Sequence, residues 1–107
     1  MNVKTDQFMA SVAQNGDSAT IVLQGEINGL ADSGMTAAYD EAVALDPAGI
    51  VLDFKQVDYI NSTGIALIVG LLAKARLVNI PLTAVGLTEH YREIFTITRL
   101  SDFIEIQ

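Results

Sequence analysis

The apolar residues of this chain recur at two different periods, and these periods alternate along the sequence. Segments 8–14 and 19–27 have the composition and spacing of β-strands. Between them lies Asn15-Gly16-Asp17, which is typical of a hairpin turn because Asn-Gly readily adopts positive φ. Segment 30–45 then changes to the helical period. An antiparallel hairpin followed by a helix is therefore predicted for the first half of the chain.

Both periods also predict which side chains are buried. In the second strand alternate residues share one face, and in the first helix small and apolar residues recur every three or four positions. The predicted strand face consists of Ile21, Leu23, Gly25 and Ile27, and the predicted helix face of Ala31, Met35, Ala38, Ala42 and Leu45. The Asp-Pro-Ala-Gly segment at 46–49 ends this helix.

The second half of the chain continues the alternation. Segment 49–54, GIVLDF, is short and β-branched, as expected for a strand covered on both faces. A helix over 65–78 ends at Asn-Ile-Pro 79–81, and a second buried strand covers 81–86. Thr88 begins a third helix with Tyr91, Ile94 and Phe95 facing inward, and 103–106 form a short closing strand. The order β-β-α-β-α-β-α-β predicts a single α/β domain, residues 1–107, with helices packed on a mixed sheet.

The composition narrows the possible functions. A chain of 107 residues with 50% hydrophobic content can bury one core. The formal net charge of −7 argues against nucleic acid and anionic membrane surfaces as partners, whereas a protein with a basic face is compatible with it. There is no cysteine, which excludes disulfides and thiolate chemistry.

Neither export nor membrane insertion is predicted. The first eight residues contain no apolar run of the kind found in signal peptides. The longest apolar run, 65–73, is well short of the roughly 20 residues that a membrane-spanning helix needs. We therefore expect a cytoplasmic domain.

A polar triplet, Asn61-Ser62-Thr63, stands with Gly64 at the start of the predicted second helix. Each of the three polar side chains can accept a hydrogen bond from a free backbone N–H as an N-cap. The same position also suits a phosphate, since helix N-terminal amides and the helix dipole favour a negative group. The residues by themselves leave capping and phosphorylation open.

Segment 51–75, VLDFKQVDYINSTGIALIVGLLAKA, resembles the STAS domains of bacterial anti-sigma factor antagonists. In that family an apolar strand ends in Asp-Phe, and after a short loop an Asp-Ser-Ser/Thr-Gly-like motif opens a helix. The resemblance extends to GEI at 25–27 and to EIFTITRLSDFIEI at 93–106. It covers nearly the whole chain and implies the same fold.

The resemblance also implies a function, which is partner switching without enzymatic activity of the chain itself. The unphosphorylated antagonist would bind an anti-sigma factor that is also a serine kinase, thereby releasing the sigma factor. The kinase would use ATP to phosphorylate Ser62, and a PP2C-type phosphatase would restore the binding form. No cofactor or metal is implied. The expected partner-binding residues are Asn28, Gly29, Asn61, Ser62, Thr63 and Gly64, with Gly64 giving room for the partner's backbone. The docking surface is expected to include the loop around Asn28-Gly29-Leu30.

Two positions depart from the family pattern, because Asn28 and Asn61 stand where the family usually has Asp. An amide keeps the shape and the acceptor oxygen of the carboxylate but removes two negative charges near Ser62. One rival hypothesis is therefore an unphosphorylated subunit of a lipid-transport or sensory complex, in which Ser62 only caps the helix. Another is a hydrolase that uses Ser62 and His90, although the sequence lacks a GxSxG elbow.

The remaining polar and glycine positions are given structural roles. We expect His90, the only histidine, to be solvated, together with Glu89 and Glu93, and no metal-ligand pattern surrounds it. Asp53 is expected to end its strand and to accept hydrogen bonds from the following amides. Gly70 inside the second helix suggests close packing, because glycine otherwise costs a helix about 1 kcal/mol relative to alanine.

Overall fold

The computed structural model describes residues 7–107 and confirms the predicted order of elements. Two single turns of 3-10 helix, Gly29–Ala31 and Leu100–Asp102, accompany the main elements. The strands are β1 (Met9–Asn15), β2 (Ser18–Ile27), β3 (Gly49–Ile60), β4 (Leu82–Val85) and β5 (Glu105–Ile106). The helices are α1 (Asp32–Ala44), α2 (Ser62–Leu77) and α3 (Glu89–Ile97).

The five strands form one mixed sheet in the order β1-β2-β3-β4-β5. Strand β1 pairs antiparallel with β2, and every later neighbour is parallel. At the hairpin Asn15 still pairs with Ser18, so the turn consists of Gly16 and Asp17, with Gly16 at φ +66°. The parallel pairs require crossovers, and α1, α2 and α3 supply them.

The core lies on one face of the sheet. Ile21, Leu52 and Ala84 are paired across β2, β3 and β4, and all three are buried. The predicted inward face of β2, including Gly25, is confirmed. The prediction that β3 is covered on both faces is wrong, because Val51 and Asp53 alternate with the buried residues and stay half-exposed. The helices bury one face of the sheet, and the opposite face is partly open.

Helix α1 buries Met35, Ala38 and Ala42 as predicted, but not Leu45. Leu45 is 38% exposed because the helix ends at Ala44 and the chain reverses at Asp46, whose φ is +54°. Tyr39 is buried as well, which the helical pattern did not single out. The inward positions of α3 are confirmed, with Tyr91 and Phe95 buried and Ile94 half-buried.

Helix α2 is buried on one side only. Ile68, Leu71, Leu72 and Ala75 face the core, whereas Ala66, Val69, Gly70 and Ala73 are exposed. The close packing predicted for Gly70 is wrong, because a Cβ built there would meet no atom within 4 Å. The helix ends before Asn79, which has φ +59°. At sixteen residues α2 is too short to cross a bilayer, and no other helix within residues 7–107 meets the length and hydropathy that crossing requires.

Candidate functional site

A single residue, Asn61, joins the end of β3 to the start of α2. Its backbone N–H donates to the carbonyl oxygen of Ile27 at 3.2 Å, which ties the junction to the end of β2. Its side-chain Oδ1 accepts from the N–H of Gly64 at 2.8 Å, and its carbonyl accepts from the N–H of Ile65 at 2.9 Å. Asn61 has extended dihedral angles, φ −90° and ψ −178°, as an N-cap requires. Asn61 is therefore the residue that caps α2.

Ser62 is the first residue of the helix, and its side chain is exposed. Within residues 7–107 its hydroxyl takes part in no hydrogen bond, since the capping bond comes from Asn61. The hypothesis that Ser62 serves as the cap is therefore wrong. The backbone N–H groups of Ser62 and Thr63 likewise have no acceptor in this part of the chain. An exposed hydroxyl thus lies at a helix N-terminus whose first amides are available.

Contrary to the prediction from the sequence, Gly64 does not leave room for a partner's backbone. Gly64 is buried, and a Cβ built on it would overlap the carbonyl oxygen of Ile27 and come within 2.8 Å of the carbonyl carbon. The glycine is needed because β2 ends against the first turn of α2. The end of β2 reaches this position past register shifts that flank Gly25, whose φ is +89°.

The loop after β2 lies beside the same helix turn. The Oδ1 atom of Asn28 accepts from the N–H of Leu30 at 2.9 Å and caps the 3-10 turn. A Cβ on Gly29 would lie 3.6 Å from the Cγ2 atom of Thr63, so the loop and the helix start are neighbours. Leu30 is 90% exposed. The structure thus brings the predicted residues of both segments together, and Leu30 of the same loop is almost fully exposed.

Asn28 and Asn61, the two positions at which the sequence departs from the pattern that it resembles, both act as hydrogen-bond acceptors. Asn28 and Asn61 each accept a backbone N–H through the side-chain oxygen, as a carboxylate would. Compared with a carboxylate, an amide at these positions lacks a negative charge, beside Ser62 in one case and at the end of β2 in the other. An amide and a carboxylate thus offer the same acceptor atom and differ in charge, so a mutation between them changes the charge and keeps the acceptor.

The end of β3 is fixed by a hydrogen bond from a distant helix, which the sequence pattern did not predict. The hydroxyl of Tyr91 in α3 accepts from the N–H of Ile60 at 2.9 Å and lies 3.4 Å from the carbonyl oxygen of the same residue. Ile60 is 5% exposed, whereas Tyr59 is 52% exposed, so Ile60 is a core residue and Tyr59 a surface residue. An inward tyrosine in an amphipathic helix was the available signal, because a buried hydroxyl needs a partner.

The other polar candidates do not form a second site. Asp53 does not end β3 as predicted, because the strand continues to Ile60, although its Oδ1 accepts from the N–H of Lys55 at 2.9 Å. His90 is exposed, with its ring centroid 4.9 Å from that of Tyr91, and within residues 7–107 no hydrogen bond joins it to Ser62. The same residues contain no group of three or more His, Asp or Glu placed to hold a metal ion.

Comparison with known families and proteins agrees with this architecture. The family model described as "Mlab, STAS domain" matches residues 10–105. An anti-sigma-B factor antagonist from Listeria monocytogenes is 30% identical over 91 residues, which cover 85% of this chain and 80% of the relative.

Solved structures of the same kind share the fold at lower identity. An anti-sigma factor antagonist from Mycobacterium paratuberculosis superposes with a TM-score of 0.78 at 18% identity, covering 96% of this chain and 87% of that one. The Bacillus cell fate determinant SpoIIAA in its phosphorylated form superposes with a TM-score of 0.68 at 18% identity, covering 94% and 91%. These likenesses establish a common mixed-sheet α/β architecture.

Proposed function

This chain belongs to the STAS domain family, and from that membership and the geometry of its Ser62 turn we propose that it is an anti-sigma factor antagonist switched by phosphorylation of Ser62. The observation that carries the proposal is the exposed Ser62 hydroxyl at the start of α2. This hydroxyl does not cap the helix, because Asn61 does. The name of the Listeria relative and the phosphorylated form of SpoIIAA support the same function. On this proposal the chain is a binding protein of the cytoplasm and is not an enzyme.

The unphosphorylated surface consists of Asn28, Gly29 and Leu30 together with Ser62 and Thr63. It carries no ionised side chain and presents one exposed aliphatic residue, Leu30. Such a surface can be desolvated by a protein partner without leaving a charge buried. The proposed partner is an anti-sigma factor with serine kinase activity, whose sequestration releases the sigma factor.

Phosphorylation transfers the γ-phosphoryl group of ATP to the Ser62 Oγ atom, with ADP as the leaving group and the hydroxyl proton passing to a base of the kinase. The product carries roughly −1.5 to −2 charges and three acceptor oxygens. In the free domain the first amides and the dipole of α2 stabilise that charge. In the complex the same charge would have to be desolvated against the partner, which weakens binding. A PP2C-type phosphatase would reverse the change by hydrolysis.

The domain itself tolerates the modification. Ser62 is exposed, its hydroxyl makes no hydrogen bond within residues 7–107, and the helix keeps its Asn61 cap. The added group therefore has a large effect on the complex and a small one on the fold. This difference is what a reversible switch requires.

The test uses the serine-kinase anti-sigma factor of the same organism with ATP. Intact-mass spectrometry should show a gain of one phosphate in the wild-type chain and in Thr63→Ala, and no gain in Ser62→Ala. Calorimetry should show the kinase binding the wild-type chain and Ser62→Ala, with at least a tenfold loss for Ser62→Asp, equivalent to about 1.4 kcal/mol. Equal binding by Ser62→Asp, or phosphate on the Ser62→Ala chain, would contradict the proposal.

A second candidate is favoured by the amides at Asn28 and Asn61, which remove the usual negative charges around the acceptor. In that case the chain is a constitutive STAS subunit of a lipid-transport or sensory complex. Copurification with other subunits that is unchanged by Ser62→Asp would support this alternative over the switch.

A further inference from the structure

An apolar groove lies at the far end of α2 from Ser62. It runs between α2 and the segment that connects α3 to β5, and its volume is about 410 Å³. One wall consists of Val69, Leu72, Ala73 and Arg76, and the other of Thr98, Arg99, Leu100 and Phe103. Val69 is seven residues after Ser62, or roughly 10 Å along the helix, so the groove is separate from the proposed phosphorylation site.

Most of the surface inside this groove is apolar. Leu72 and Leu100 are buried, whereas Val69 and Phe103 are 43% and 48% exposed. The hydroxyl of Thr98 donates to the carbonyl oxygen of Ile94 at 2.6 Å and is therefore committed to its own helix. The half-exposed side chains leave apolar surface that a hydrocarbon ligand would remove from water.

Two arginines, Arg76 and Arg99, lie at the rim of the groove, and Asp102 pairs with the second. The guanidinium carbon of Arg76 lies 4.7 Å from the centre of the Phe103 ring, and the Nε atom of Arg99 is 2.8 Å from Asp102 Oδ2. Arg99 keeps its side chain 80% exposed. Asp102 offsets the charge of Arg99 within this pair, so these three side chains leave one net positive charge at the groove, from Arg76, in a chain whose net charge is −7. Guanidinium groups pair well with carboxylates and phosphates.

We propose that this groove binds a single-chain anionic amphiphile, with its aliphatic tail between Val69 and Phe103 and its carboxylate or phosphate head at Arg76 and Arg99. The volume is within the range of about 300–1,000 Å³ that small-molecule sites occupy. From Val69 to Arg76 the α2 wall spans about two turns, or roughly 10 Å. That length suits one hydrocarbon chain better than a docked helix, which needs anchors over several turns.

The experiment is a titration of the whole chain with three probes that share a twelve-carbon tail, each below its micelle concentration. Calorimetry should show dodecanoate and dodecyl phosphate binding with Kd below about 1 mM, and dodecyltrimethylammonium at least tenfold weaker. The stronger of the two anionic probes identifies the headgroup chemistry. A tail of about eight carbons spans the roughly 10 Å groove, so shortening the tail below that length should weaken binding about two- to fourfold per methylene group. No binding at 1 mM, or equal binding of the cationic probe, would overturn the proposal.

Matched variants locate the bound probe. Arg76→Gln keeps a good helix former, and Arg99→Asn suits the left-handed backbone at φ +68°, so both remove a guanidinium with little strain. Each should weaken dodecanoate binding at least threefold, and together they should weaken it about tenfold. The control is Arg92→Gln in α3, whose guanidinium donates instead to the Gln107 carbonyl at 3.1 Å. An equal effect of the control would refute the assigned site.

The test is independent of the phosphorylation proposal. Ser62→Asp should leave dodecanoate binding unchanged, because the groove begins about two turns away along α2. Failure of the amphiphile to bind would say nothing against the switch, and failure of the switch would leave the groove intact.

Discussion

The first turn of α2 and its middle each contain one glycine, and the two differ in whether the surroundings leave space for a side chain. Gly64 is buried against the backbone of Ile27, where a Cβ has no space. Gly70 is exposed, and a Cβ there would meet nothing within 4 Å. The beginning of the helix is therefore fixed by its contact with β2, whereas the middle has an outer face that the domain does not use. Mutations can test this contrast.

The largest effect is expected for Gly64→Ala. The added methyl group would meet backbone atoms of Ile27, which cannot rotate away, so β2 and α2 must separate. We expect a loss of about 3 kcal/mol in the free energy of unfolding, measured by urea denaturation. Gly29→Ala is the control, because its Cβ would make an ordinary 3.6 Å contact with Thr63. A Gly64→Ala protein as stable as the Gly29→Ala control would contradict the contrast.

The next effect concerns the cap of the same turn. Asn61→Ala removes the acceptor for the Gly64 N–H and should cost about 1 kcal/mol of stability in the same assay. Asn61→Asp keeps that acceptor and restores the charge usual in the family, so its stability should stay within about 0.5 kcal/mol of the wild type. If Asn61→Ala were neutral while Ser62→Ala cost 1 kcal/mol, the cap would have been assigned to the wrong residue.

Gly70→Ala should change stability in the opposite direction. Alanine is a better helix former than glycine by roughly 0.8 kcal/mol, and nothing in the surroundings opposes the methyl group. We expect a stabilisation of that size, seen as a higher urea midpoint with an unchanged slope. A destabilised Gly70→Ala protein would show that the middle of α2 is covered after all. Unchanged binding of the anti-sigma kinase would place Gly70 outside the docking surface.

The sequence predicted the order of elements well because that order depends on local periodicity. It also predicted the inward faces of β2 and α3, where Ile21 and Phe95 are buried. It failed where the answer depends on distant chain segments. The final six residues of β3 contain Lys55, Gln56 and Asp58 and look like a loop, yet they pair with β2 beyond its register shifts. For the same reason the sequence predicted close packing at Gly70 and open space at Gly64, whereas the structure shows the reverse.

At the candidate site the sequence identified the residues that lie together but not the structural role of each one. Asn61, Ser62 and Thr63 are all competent caps by type, and only the backbone angles and the 2.8 Å bond to Gly64 select Asn61. Leu30 was placed in a docking loop, but its 90% exposure depends on how the 3-10 turn packs against α2. Side-chain type predicts what a residue can do, and tertiary geometry decides which residue does it.

The smallest effect on stability is expected for Ser62→Ala, and Ser62→Asp is the sharpest test of the contrast. Because its hydroxyl is exposed and makes no hydrogen bond within residues 7–107, Ser62→Ala should change the free energy of unfolding by less than about 0.5 kcal/mol. Ser62→Asp should be neutral or stabilising by about 0.3–1 kcal/mol through the helix dipole, while weakening kinase binding at least tenfold. Thr63→Ala serves as the neighbouring control in both assays. Loss of stability in parallel with loss of binding in Ser62→Asp would mean that the first turn of α2 cannot carry a charge without disturbing the fold, and the separation of folding from switching would then fail.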